Sequence, residues 1–154
     1  MFDFGLRWSQ WRSLSAHERR ALIAMIATLP LIDIAVRTIG VHRTCAALAW
    51  RNRNIPERLP TIDDPARANR LAELSNIAGR HGLYTITCLR QAILVQHRLR
   101  REGLPAQLRI GAIKDDAGNL LGHAWVEMNG IALAQGDLPY APFPEIRTSH
   151  SSAV

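Results

Sequence analysis

The feature that most constrains this chain is a change of hydrophobic period near Gly103. Before it, apolar residues recur every third or fourth position; after it, they alternate. Leu89, Ala92, Ile93, Val95 and Leu99 fall at helical spacing over Thr87 to Arg101, and Gly103 and Pro105 close that helix. Ala106, Leu108, Ile110 and Ala112 then alternate with Gln107 and Arg109, which predicts a half-buried strand over Ala106 to Ile113. Asp115 to Asn119 reads as a turn. Over Leu120 to Met128, Leu121, His123, Trp125 and Glu127 share the face opposite Gly122, Ala124, Val126 and Met128. Asn129-Gly130 is a strong hairpin signal, with Ile131 to Ala134 as the return strand. Strands that follow strands without crossover helices mean α+β: a helical N-terminal half, then a helix packed on a small antiparallel sheet.

The front half is all helix. Ser15-x-x-Glu18 is a capping box that opens a helix over Ala16 to Thr28, which Pro30 should stop. A second helix over Leu31 to Ile39 should end at Gly40, and a third should cover Thr44 to Arg51. Asn52 to Pro65 is a loop rich in Asn, Asp and Pro. Ala66 to Arg80 is amphipathic, with Leu71, Leu74, Ile77 and Ala78 on one stripe. Most apolar residues of the front half are expected to cover the back of the sheet. Trp8, Trp11 and Trp50 are assigned to the helical core, and the tail Leu138 to Val154 to loop. The expectation is one domain, 1–154, comprising a helical subdomain 1–51 and a core 66–140.

Arginine supplies 18 of the 19 basic residues, and the net charge is +6. The arginines are dispersed, and no RRM, KH or helix-turn-helix signature accompanies them, so no nucleic-acid partner is expected. They read as solvated helix faces with some attraction for an acidic partner. Two cysteines, neither in a CxxC, exclude a disulfide scaffold and a structural zinc site. His17, His42, His81, His97 and His150 show no paired ligand spacing, so no metal is expected. No GxxxxGK[ST] is present, and no cofactor is expected. The longest apolar stretch, Ala21 to Val36, is interrupted by Pro30 and Asp33 and is short of the roughly 20 residues a membrane span needs. The expected compartment is the cytoplasm, with both thiols reduced and no membrane partner.

Cys88 stands at the first position of the long helix, with Thr87 as N-cap. The positive end of the helix dipole lowers a thiol's pKa, and the thiolate is the nucleophile. Free N–H groups there can hold an oxyanion. Such a thiol needs an imidazole to shuttle a proton and an acceptor to fix the imidazole's tautomer. His123 on the second strand is the candidate base. Asp137, reached across the hairpin about 5 Å away, is the preferred acceptor, with Glu127 in reserve because it lies about 13 Å along the same strand. Tyr84 and Trp125 are candidates to line a substrate cleft, and Cys45 reads as a small core hydrophobe.

These residues carry a resemblance. Cys88-Leu89-Arg90-Gln91-Ala92, the stretch from His97 to Gly111 through Gly103-Leu104-Pro105-Ala106, and His123-Ala124-Trp125-Val126-Glu127 with a downstream aspartate look like the transglutaminase-like (papain-like) superfamily. More narrowly they resemble the lasso-peptide leader peptidases, over about Trp8 to Asp137. The resemblance implies a cysteine protease that cleaves the leader from a ribosomally made precursor. Cys88 would attack the scissile carbonyl, His123 would act as base and then acid, and Asp137 would orient His123. It also implies partners: the precursor's leader peptide, a separate winged-helix-like leader-recognition protein, and an ATP-dependent lasso cyclase. A transglutaminase-like acyl transfer to an amine and a non-catalytic peptide-binding chaperone are the alternatives.

Overall fold

The computed structural model describes residues 12–81, 87–114, 118–134 and 141–142. Trp8, Trp11, Tyr84 and Asp137 lie outside them. The elements are α1 (Ala16–Ile39), α2 (Val41–Asn52), α3 (Asp64–His81), α4 (Cys88–Arg101), β1 (Ala106–Lys114), β2 (Leu120–Met128), β3 (Ile131–Ala132) and β4 (Ala141–Pro142). The strands form one antiparallel sheet in the order β3-β2-β1-β4. The arrangement is α+β, as the change of period indicates.

The capping box is present. Glu18 N donates to Ser15 Oγ at 3.2 Å, and Ser15 N donates to Glu18 Oε2 at 2.7 Å. Arg70 Nε, 2.6 Å from the other Glu18 oxygen, ties α1 to α3, and this bond first of all brings the Glu18 carboxyl down to about 2. The stop at Pro30 does not occur: α1 is one 24-residue helix with Pro30 inside it. An interior proline costs about 3 kcal/mol in a helix. Met25, Leu29 and Ile32 continue one buried stripe in phase across it, and burying even two such side chains recovers a comparable sum. Continuous through Pro30, α1 is long and apolar enough to cross a membrane by length and composition; here its inner stripe packs on the other helices.

Helix α2 starts three residues earlier than expected, after Gly40 at φ +84°. Trp50 is not in the core. It points outward, 65% exposed, with the Arg53 guanidinium 4.5 Å above its ring. Among the described residues of α2 only Thr44 and Asn52 are fully buried, so Trp50 falls on the outer face.

Residues 53–63 are held by Arg58. Its guanidinium donates to both Asp64 oxygens (2.6 and 2.9 Å), its Nε to the Glu102 carbonyl (3.1 Å), and its backbone N–H to the Gly103 carbonyl (2.8 Å). The start of α3 and the end of α4 are thereby tied together. The Arg58 bond holds the Asp64 carboxyl well below the usual carboxylate range. Gly103 is required here: its φ is +75°, and a Cβ would come within 2.8 Å of the Pro56 carbonyl oxygen.

Helix α4 buries Ala92, Ile93, Leu94, Val95, His97 and Leu99. It is α4, not the front half, that covers the sheet; α1 packs on the far side, against α3, α4 and α2. In the sheet, β1 and β2 pair from Ala106↔Met128 to Lys114↔Leu120, which sets His123 opposite Gly111. Asn129 and Gly130 have φ of +53° and +77°, the mirror-image turn their sequence asks for. The return strand is only Ile131–Ala132, because Ala134 turns away at φ +49° and its N–H goes to Asn69 Oδ1 on α3 at 2.7 Å. Part of the tail is strand, not loop: Ala141–Pro142 pairs with Gly111 and Ala112 at the sheet edge, where a proline is tolerated. The inward face of β1 also ends early, since Ile110 is 45% exposed.

Leu94 has no exposed surface. Leu94→Ala is expected to lower stability by about 2–5 kcal/mol in urea unfolding, the range for a buried leucine that leaves a cavity.

Candidate active site

The polypeptide places Cys88 where its sequence position suggests. Thr87 adopts extended angles (φ −72°, ψ 154°) and is the N-cap of α4. Its hydroxyl accepts from Arg90 Nη1 at 2.9 Å, and its carbonyl accepts the Arg90 and Gln91 backbone N–H groups. Arg90 is anchored by an ion pair with Asp33 of α1 at 2.5 Å, which fixes the first turn to the helical layer. The Cys88 and Leu89 N–H groups precede the first intrahelical bonds, so the helix end offers a donor pair beside a half-buried, free thiol.

His123 comes from β2 on the other side of the same cavity. Cys88, Gln91, His123 and Trp125 all line it, together with Ser75 and Asn76 of α3. Its volume, as bounded by the described residues, is about 80 Å³. Pockets for cofactors and small ligands run roughly 300–1,000 Å³. This space therefore holds a reacting group, with the remainder of any substrate outside. Burial pushes the His123 imidazole below its ordinary value, so it is neutral, and able to take a proton, at neutral pH.

Trp125 is buried and stacks on His123, ring centroids 6.1 Å apart and planes 15° from parallel. Its Nε1 donates to Glu127 Oε1 at 3.0 Å, and Arg109 Nε holds Glu127 Oε2 at 2.8 Å. Both Glu127 oxygens are thus engaged in clamping the tryptophan. Asp137 and Tyr84 lie outside the described residues. His97, nine residues beyond Cys88, is not part of this site. It is buried on the other side of α4, with Nδ1 3.0 Å from Asn52 Nδ2.

Residues 25–148 match the model of the family described as the transglutaminase-like superfamily. The chain belongs to the transglutaminase-like superfamily. Neither a curated protein nor a solved structure matches it. The superfamily includes cysteine peptidases and acyltransferases, and its members are typically catalytic through cysteine. The matched span begins inside α1, so it takes in most of the helical half as well as Cys88 and His123.

Three lining residues stand outside the candidates that the sequence offers for the site. Ser75 Oγ is fully buried in the cavity wall and has no partner among the described residues. Asn76 adjoins it. Gln91 lies one turn after Cys88, and the i, i+3 spacing is the signal that could have found it. The Gln91 side chain crosses Gly79, where a Cβ would overlap its amide. A small residue on α3 is thus what admits Gln91 to the cavity.

Two measurements follow from this geometry. In a Cys88→Ala variant, which removes coupling to the thiol, the His123 ring protons should titrate by NMR with a midpoint below 6.5; a midpoint at or above it contradicts the burial argument. Gly79→Ala gains about 1 kcal/mol of helix propensity and displaces only a flexible amide. Its stability in urea should stay within about 1 kcal/mol of wild type, while the Gln91 side-chain amide resonances move.

Proposed function

We propose that this protein is a cysteine peptidase that removes the leader from a ribosomally made lasso-peptide precursor. The observation that carries the reading is a thiol at a helix N-terminus sharing one small cavity with a neutral imidazole, within a transglutaminase-like match. His123 takes the Cys88 proton as Sγ attacks the scissile carbonyl. The oxyanion is held by N–H groups at the start of α4, with the Gln91 amide as a further donor in the wall. His123 then protonates the leaving amine, and water hydrolyses the thioester. Asp137 is assigned to orient His123. Glu127 serves Trp125 instead, which screens the imidazole from solvent. Tyr84 is assigned, with Trp125, to the substrate cleft.

The narrower substrate assignment is supported by the text around Cys88, by the arginine-rich end of α4 before Gly103-Leu104-Pro105-Ala106, and by His123-Ala124-Trp125-Val126-Glu127. It implies a winged-helix-like recognition protein that presents the leader and an ATP-dependent cyclase that receives the freed core. It also implies the cytoplasm, where Cys45 and Cys88 stay reduced.

The test is the mass of a candidate precursor after incubation with this protein and its recognition partner. Wild type should make one cut between leader and core, and Cys88→Ala should reduce the rate by at least about 10³-fold. A product lighter by ammonia would replace hydrolysis with acyl transfer. Bound but intact precursor would replace catalysis with a chaperone role.

A further inference from the structure

We propose that the cleft between α1, α2 and the C-terminal end of α4 docks an acidic polypeptide segment that inserts apolar side chains. The cleft has a volume of about 390 Å³. One wall is apolar, with Leu31 and Ile39 of α1 and Leu48 of α2; Leu31 is 65% exposed and Ile39 45% exposed. The rim is basic, with Arg51 of α2 and Arg98 and Arg101 of α4.

The three arginines differ from six others in the chain, and unlike the remaining unpaired ones they meet at one cleft. Arg37, Arg58, Arg67, Arg70, Arg90 and Arg109 all have carboxylate partners within 3 Å. Among the described residues no carboxylate pairs with Arg51, Arg98 or Arg101. They converge: after burial, these same three guanidiniums are what hold the enclosed His97 below its ordinary value. A helix C-terminus favours cations, which accounts for Arg98 and Arg101 being on α4. The same preference covers Arg51 in the last turn of α2, but it does not account for leucine and isoleucine left in water beside these arginines. Uncompensated positive charge next to exposed apolar surface is complementary to a chain carrying both carboxylates and apolar anchors.

The shape favours a polypeptide over a bilayer. A lipid surface covers a convex face, whereas this one is recessed between three helices. The cleft is also remote from the chemistry. Arg101 lies thirteen residues from Cys88, about 20 Å along the helix at 1.5 Å per residue. A segment bound here would hold a substrate or a presenting protein without entering the cavity at Cys88. The inference stands on these residues and does not depend on which peptide Cys88 acts upon.

Fluorescence anisotropy tests it on the full chain. The probe is a labelled 18-residue helical peptide with leucines along one face and glutamates on its flanks, beside an otherwise identical peptide with glutamines. The glutamate peptide should bind at least 10-fold more tightly and weaken with salt. R51Q/R98Q/R101Q should reduce its affinity at least 10-fold, and so should L31S/I39S, while iodoacetamide labelling of Cys88, mapped by mass, keeps its wild-type rate as the check on folding. Equal binding of the two peptides, or unchanged affinity in both variants, overturns the proposal. So does sedimentation with phosphatidylglycerol vesicles, lost in the same variants, when the peptide does not bind.

Discussion

Ala92, Ile93, Leu94 and Val95 are four consecutive buried residues. A helix can hide four consecutive side chains only if it is covered all round. That requirement organises the molecule. The sheet covers one side of α4, and α1, α2 and α3 cover the others. Because α4 is gripped along its length, both of its ends are positioned by packing. The first turn presents Cys88 and is tied to α1 through Arg90 and Asp33. The last turn is locked by Arg58, Asp64 and Gly103. A thiol whose reactivity depends on a helix terminus needs that terminus held still, and here the core does it.

The partner imidazole depends on a different constraint, strand register. His123 lines the cavity from β2, in a ladder where β1 and β2 pair with His123 opposite Gly111. A slip by one residue would turn every β2 side chain to the other face. On the other edge of β2, the Asn129-Gly130 turn and the bond from Leu133 N to the Val126 carbonyl fix the register of β3. A chain of contacts then stiffens the same face: Arg109 fixes Glu127, Glu127 fixes Trp125, and Trp125 stacks on His123. Arg109, Glu127 and Trp125 thereby hold the ring to which proton transfer is assigned in the proposed mechanism.

Much of this is legible in the residue order alone. The capping box, the start of α4 at Cys88, the β1–β2 ladder and the hairpin follow from local rules that operate within a few residues. Three expectations fail for one shared reason. Pro30 should end a helix, but the buried stripe through Met25, Leu29 and Ile32 overrides it. Trp50 should be buried, but it lies on the face of α2 that the other helices leave uncovered. Ala141 and Pro142 look like loop, but the free edge of β1 recruits them. In each case a contact distant in sequence outweighs a local preference.

The sequence by itself determined the placement of local groups and the elements: a thiol at a helix start, a histidine on an alternating strand, a hairpin turn, and a change of period that selects α+β. Those properties depend on residues within a turn or two of one another. Only the tertiary structure decided that Cys88 and His123 share a cavity, that Gln91 enters it across Gly79, and that Glu127 is occupied by Trp125 and Arg109. It alone gathered Arg51, Arg98 and Arg101 around one apolar cleft. The physical reason is that helix packing and strand register bring together residues dozens of positions apart, and no local pattern encodes which faces meet.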